Sequence, residues 1–190
     1  MGLFPKSIVV ACTILGLASC AQMQVDSEIA AAKAASEKYQ DVNVALAAGY
    51  IPDPSGECFT SPAGGMGVHY LNMALLEITT GDPRIDGTGT HTDFLNPAVL
   101  LYEPQADGSM VLVGIENLVF QASWAAAGNT YPPSFGGSEW NTMADDPDTE
   151  MDEAHHFAPH YDRHVWVFRD NPEDIVTPFN PNVTCEFHQE

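Results

Sequence analysis

Hydrophobic and polar positions fall into three regular stretches separated by irregular ones. Ile29, Ala32, Ala35, Tyr39, Val42 and Leu46 recur at three- and four-residue steps, with Lys33, Glu37, Lys38 and Asp41 mostly off that stripe. The pattern predicts a core-facing helix over about 28–48, capped by Asp26 or Ser27 and stopped by Gly49. Residues 99–102 and 110–115 are apolar on both faces and flank Gln105-Ala106-Asp107-Gly108, which signals a hairpin in the middle of a sheet. With Asp107 and Gly108 as the central turn residues, Val99 lies opposite Glu116, a carboxylate at the end of an apolar strand. The third stretch, 159–171, alternates. In an extended chain His160, Asp162, His164, Trp166 and Phe168 face one way, and Tyr161, Arg163, Val165, Val167 and Arg169 the other.

Between these stretches Pro52 and Pro54 turn the chain. Gly64-Gly65-Met66-Gly67-Val68-His69-Tyr70 leads into an apolar segment at 71–78, and its glycines are expected to deliver His69 at a bend. Residues 79–96 read as a polar loop with His91 exposed. Residues 121–158 read as a long loop anchored by Trp124, Tyr131, Phe135 and Trp140. Its acidic run, Asp145 to Glu153, lacks calcium-loop spacing and reads as a solvated edge, with calcium the lesser alternative. The expected fold is α+β: a central, mostly antiparallel sheet with the N-terminal helix packed on one face, and long irregular loops.

The N-terminus changes the setting. Lys6, an apolar run from Ile8 to Leu17 and then Leu17-Ala18-Ser19-Cys20 match a secretory signal too short to span a bilayer. The last four residues resemble the lipobox of bacterial lipoproteins, which implies cleavage before Cys20 and a lipid thioether on its sulfur; ordinary cleavage with a spare cysteine is the alternative. This divides the chain into a lipoprotein signal at 1–19, a tether at 20–27 and a single globular domain at 28–190. Ala21 resembles an outer-membrane retention signal, so the expected location is the bacterial cell envelope, lipid-anchored in the outer membrane. Removal of Cys12 and lipidation of Cys20 leave Cys58 and Cys185, most simply a disulfide in an oxidising compartment. A Cys/His metal site is the weaker reading, because neither cysteine has a CxxC partner. Six Lys and Arg against 26 Asp and Glu give a formal charge of −20, which repels nucleic acid and anionic head groups. The expected membrane partner is therefore a bilayer reached through the acyl anchor alone.

Histidines carry the candidate chemistry. His160 and His164 share a face whether the local chain is a strand or a helical turn, while Pro159 rules out a continuous helix that also carries His156. With His69 and Glu116 they form a candidate set for a transition metal, expected to be zinc or copper. Met66 and Met73 would tilt the choice to copper if they face the site. Tyr70, Tyr161 and Asp162 are candidates for orienting an imidazole through its other nitrogen. Three other readings stay open. One is a non-metal pocket in which His69, Tyr70, Glu116 and His160 bind a small polar ligand. Another is an enzyme with a histidine base partnered by Glu116 or Asp162. The last is a structural envelope lipoprotein whose histidines are satisfied in the core around Trp166. A nucleophilic hydrolase lacks its G-x-S-x-G elbow here, and no thiol is left free.

Four segments together resemble a family of uncharacterised exported bacterial proteins. They are Ala-x-x-x-Gly-Tyr from Ala45 to Tyr50, G-G-M-G-x-H-Y from Gly64 to Tyr70, L-L-Y-E-P from Leu100 to Pro104, and H-Y-x-x-H-V-W-x-x-R-x-N-P from His160 to Pro172. The resemblance includes a cysteine near each end of the body and implies no reaction. This chain departs from it in having Pro97-Ala98 for Pro-Glu, and Glu116-Asn117 for Glu-Tyr.

Overall fold

The computed structural model describes residues 13–150 and 152–189; the N-terminal part of the expected signal lies outside them. Helix α1 (Thr13–Ser36) runs through the expected tether, and Cys20 is exposed on it. No helix among the described residues is long and apolar enough to cross a membrane.

The single helix expected over 28–48 is three pieces. After α1 come a 3-10 turn (Glu37–Gln40) and α2 (Val42–Ala47). Asp41 is extended and its carboxylate accepts from Asn43 N at 2.9 Å, the geometry of an N-cap that starts a helix. The hydroxyl of Tyr102 donates to Tyr39 O, fixing the break against the sheet. The apolar stripe holds across the break at Ala32, Tyr39 and Ala45, all buried in one cluster, but not at Leu46, which is exposed.

The sheet has seven strands: β1 (Tyr50–Pro52), β2 (Cys58–Ser61), β3 (Gly64–Asn72), β6 (Val99–Pro104), β7 (Met110–Phe120), β10 (Asn141–Met143) and β11 (His160–Val165). Their order is β1-β3-β6-β7-β11-β10, with β2 also paired to β3, and every pairing is antiparallel. The rest is one-turn helices α3 (Met73–Leu76) and α4 (Gln121–Ala126) and the small ribbons β4 (Ile78–Thr80) with β5 (Asp86–Gly87) and β8 (Ser134–Phe135) with β9 (Ser138–Glu139). The fold is α+β, as the alternation of patterns suggests.

Two apolar clusters sandwich the sheet. Tyr50, Val68, Tyr70, Leu100, Tyr102, Ile115, Val119 and Val165 pack with the helices on one face. Leu71, Val99, Leu101, Leu118, Phe120, Phe157 and Trp166 fill the other, joined by Leu76 of the short helix α3. Gly67 sits at φ +85°, and a Cβ there would come within 2.6 Å of Tyr102 O, so only glycine lets β3 and β6 close up here.

The hairpin keeps the expected register by a compensated route. Gly108 N bonds Gln105 O and Gly108 has φ +83°, so Ala106 and Asp107 are the central turn residues and Gly108 follows in the left-handed region. That moves the pairing by one residue near the turn. A bulge between Leu101 and Tyr102 restores it, and Val99 does pair with Glu116.

The loop expected over 121–158 carries α4, β8, β9 and β10. Phe135 stacks on Phe94 at 4.0 Å and Trp140 is buried beside it, whereas Tyr131 is 73% exposed and anchors nothing with its ring. His91 is half-buried, its Nε2 2.7 Å from Asn96 O.

Cys58 and Cys185 form a disulfide 127 residues apart in sequence, tying β2 to the C-terminal segment. Closing so long a loop restricts the unfolded chain, so a Cys58→Ser/Cys185→Ser variant is expected to lose about 2–5 kcal/mol in urea denaturation.

Candidate metal centre

The register brings the chemistry together. Leu71 on β3, Val99 on β6, Glu116 on β7 and His164 on β11 are successive partners and form one row across four strands. Partners opposite each other share a face, so Glu116 and His164 project side by side, with Oε2 and Nε2 3.5 Å apart. His69 belongs to the next row, with Leu101 and Gly114. Gly114 is what leaves space there, since a Cβ would lie 3.1 Å from both Leu101 Cδ1 and Trp166 Cε3. The His69 ring crosses this row to place Nε2 3.3 Å from Glu116 Oε2, edge-on to His164 at 5.8 Å.

One ligand atom from each of His69, Glu116 and His164 lies within 4.8 Å of the others. These three buried side chains can hold a metal ion. No protein-family profile, curated protein or solved structure matches the chain.

The cavity between them measures about 10 Å³ and is also lined by Phe59, Leu71, Val99, Leu118, His155, Phe157, His160 and Asp162. That is room for roughly one water-sized occupant. His69, Glu116 and His164 are 6%, 2% and 1% exposed. Glu116 Oε2, His69 Nδ1 and both His164 nitrogens have no hydrogen-bond partner. Orphaned buried atoms are costly, and an ion on Oε2 and the Nε2 atoms would satisfy two of them, Glu116 Oε2 and His164 Nε2, at once.

Burial sets the protonation. It pushes the Glu116 carboxyl up to about 8, helped by the nearby charge of Asp53. It holds the His69 imidazole down to about 4, with Asp53 opposing, and His164 well below its ordinary value. At neutral pH without an ion, Glu116 is therefore a neutral acid and both imidazoles are neutral bases. Its close contacts with the two rings are not ion pairs in that state.

His160 departs from its expected role. It lies on the predicted face and lines the cavity, but stays outside the converging group, its Nδ1 2.9 Å from Ala158 O. The reason is spacing: four residues along a strand is about 13 Å, whereas on a helix they would be neighbours. The cross-strand neighbour Glu116 takes the place next to His164. A His160→Gln variant is thus expected to bind metal with affinity within about tenfold of the parent, checked by competition with a chromophoric chelator.

Asp162 lies on the expected face with Oδ2 3.6 Å from His164 Nδ1, too far for a hydrogen bond, and that nitrogen has no partner. Burial and the charge of Glu116 push its carboxyl well up. Tyr70 and Tyr161 do not reach the site. Each alternates to the other face, and there Tyr70 packs on Tyr102 and Tyr161 joins the helix-side cluster. Neither Met66 nor Met73 lines the cavity. The alternation also ends early, since Phe168 packs with the helix-side cluster after the strand stops at Val165.

Two residues were missed. Asp53, 2% exposed, follows β1, its N–H bonds His69 O, and its Oδ2 has no partner. The only signal was a carboxylate between two prolines, which reads as turn chemistry. His155 lines the cavity from a turn at φ +50°. His69 itself lies within β3, not at a bend.

Proposed function

We propose that the protein binds a divalent transition metal in the cell envelope through His69, Glu116 and His164. The observation that carries this reading is the convergence of ligand atoms from three buried side chains within 4.8 Å around a water-sized cavity, with Glu116 Oε2 and His164 Nε2 lacking any hydrogen-bond partner. Two imidazoles and one carboxylate suit zinc, and the lack of a lining thioether favours zinc over copper. A cavity of about 10 Å³ gives no room for an organic ligand, which argues against the small-ligand alternative.

Envelope anchoring rests on Leu17-Ala18-Ser19-Cys20, and the exposed position of Cys20 on α1 is compatible with acylation. Membership of the exported family rests on the four segments above. The tests are separate. Elemental analysis of untagged protein should give one zinc per chain, and His164→Ala should give none. Incorporation of labelled palmitate should depend on Cys20; unlabelled protein in a competent host would refute the anchor.

A further inference from the structure

His69, Glu116 and His164 supply three ligands, and a fully protein-coordinated zinc ion takes four. Three carboxylate or imidazole side chains remain on the cavity wall: His160, Asp162 and His155. His160 is held by Ala158 O. Asp162 stands behind His164, on the Nδ1 side. His155 is different in each respect. It lines the cavity while only half-buried, and its ring nitrogens make no hydrogen bond among the described residues. Its ring contact is a stack on Phe59 at 4.5 Å, and Phe59 in turn lies edge-on to His69 at 5.4 Å.

The backbone that carries it is held firmly. His155 and His156 are consecutive non-glycine residues at φ +50° and +66°, a conformation disfavoured by their Cβ atoms. Asp152 Oδ2 accepts from His156 N at 2.9 Å, Ile85 N bonds His156 O at 2.8 Å, and Arg84 pairs with Asp152 at 2.9 Å. A fixed backbone with a ring bound only by stacking lets a rotamer change carry the imidazole without moving the chain.

We infer that His155 is the fourth ligand, turning from Phe59 onto the ion held by His69, Glu116 and His164. Building on the metal-site reading above, this makes the bound ion fully protein-coordinated, with His155 as the ligand that admits and releases it. A cavity of about 10 Å³ leaves no position for a substrate beside the ion, so the coordination is that of a closed site and not of a catalytic one.

The test uses cobalt(II) as a spectroscopic probe and zinc for affinity, on the full chain and a His155→Gly variant, since glycine accepts the left-handed turn. The parent cobalt protein should show the intense visible bands of a four-coordinate site and ignore added azide. His155→Gly should bind zinc about 10–100-fold more weakly, show bands that respond to azide, and recover the parent spectrum with millimolar imidazole. Parent-like zinc affinity and an azide-insensitive spectrum in His155→Gly would overturn the role of His155 alone, provided Glu116→Gln loses the ion. A parent chain that takes up no cobalt or zinc would overturn both readings. His155→Asn, which also tolerates the turn, should behave like the glycine variant; if glycine unfolds, the asparagine variant decides.

Discussion

Replacing Glu116 by Gln is expected to stabilise the metal-free protein at neutral and alkaline pH while abolishing metal uptake. Burial raises the folded-state value of Glu116 to about 8 from an ordinary 4.5. Its contribution to stability is therefore full below about pH 4.5 and is lost as pH rises through about 8, because the unfolded chain releases the proton first. Gln has the shape of the neutral acid and releases no proton. The two proteins should match near pH 4.5 and diverge above it, with the variant ahead by on the order of a few kcal/mol at pH 8.5. Urea denaturation in chelator across this range measures the difference. The acid limb should persist in both, since His69 is lowered to about 4 and its contribution, full above about 6.5, is lost as pH falls toward 4. Zinc should reverse the order, stabilising the parent by about 2.7 kcal/mol at a hundredfold excess over Kd and leaving the variant unmoved. A Glu116→Gln protein less stable than its parent at pH 8.5 would mean the carboxylate is there for the fold.

The second large effect is on affinity. An ion at Glu116 displaces a proton there below about pH 8, whereas His69 is already neutral above about 4. Zinc affinity should then rise about tenfold per pH unit from 6 to 8 and level off above. Chelator-competition titrations in buffers that do not bind zinc give the slope. A flat profile between 6 and 8 would show that Glu116 gives up no proton to the ion.

Much of this site could be read from the chain, for identifiable reasons. Strand periodicity put His160, Asp162 and His164 on one face, and the hairpin put Val99 beside Glu116, so half of the row across the sheet was legible. The register survived a wrong turn only because the bulge at Leu101 and Tyr102 cancels it. Three features were hidden. Glu116-Asn117 looks like a strand end, yet β7 continues to Phe120 because Asn117 Oδ1 accepts from Ala98 N inside the sheet. The glycines before His69 suggest a bend, but at Gly67 they serve close packing of strands. Asp53 and His155 come from segments whose local pattern says only turn. Tertiary placement gives them their roles, and no spacing in the sequence encodes it.

The most direct measurement is anomalous scattering at the zinc edge from crystals grown with zinc. A single strong peak should lie between His69 Nε2, Glu116 Oε2 and His164 Nε2, at roughly 2.0–2.2 Å from each. A peak elsewhere, with those three side chains unchanged and unligated, would contradict the assignment.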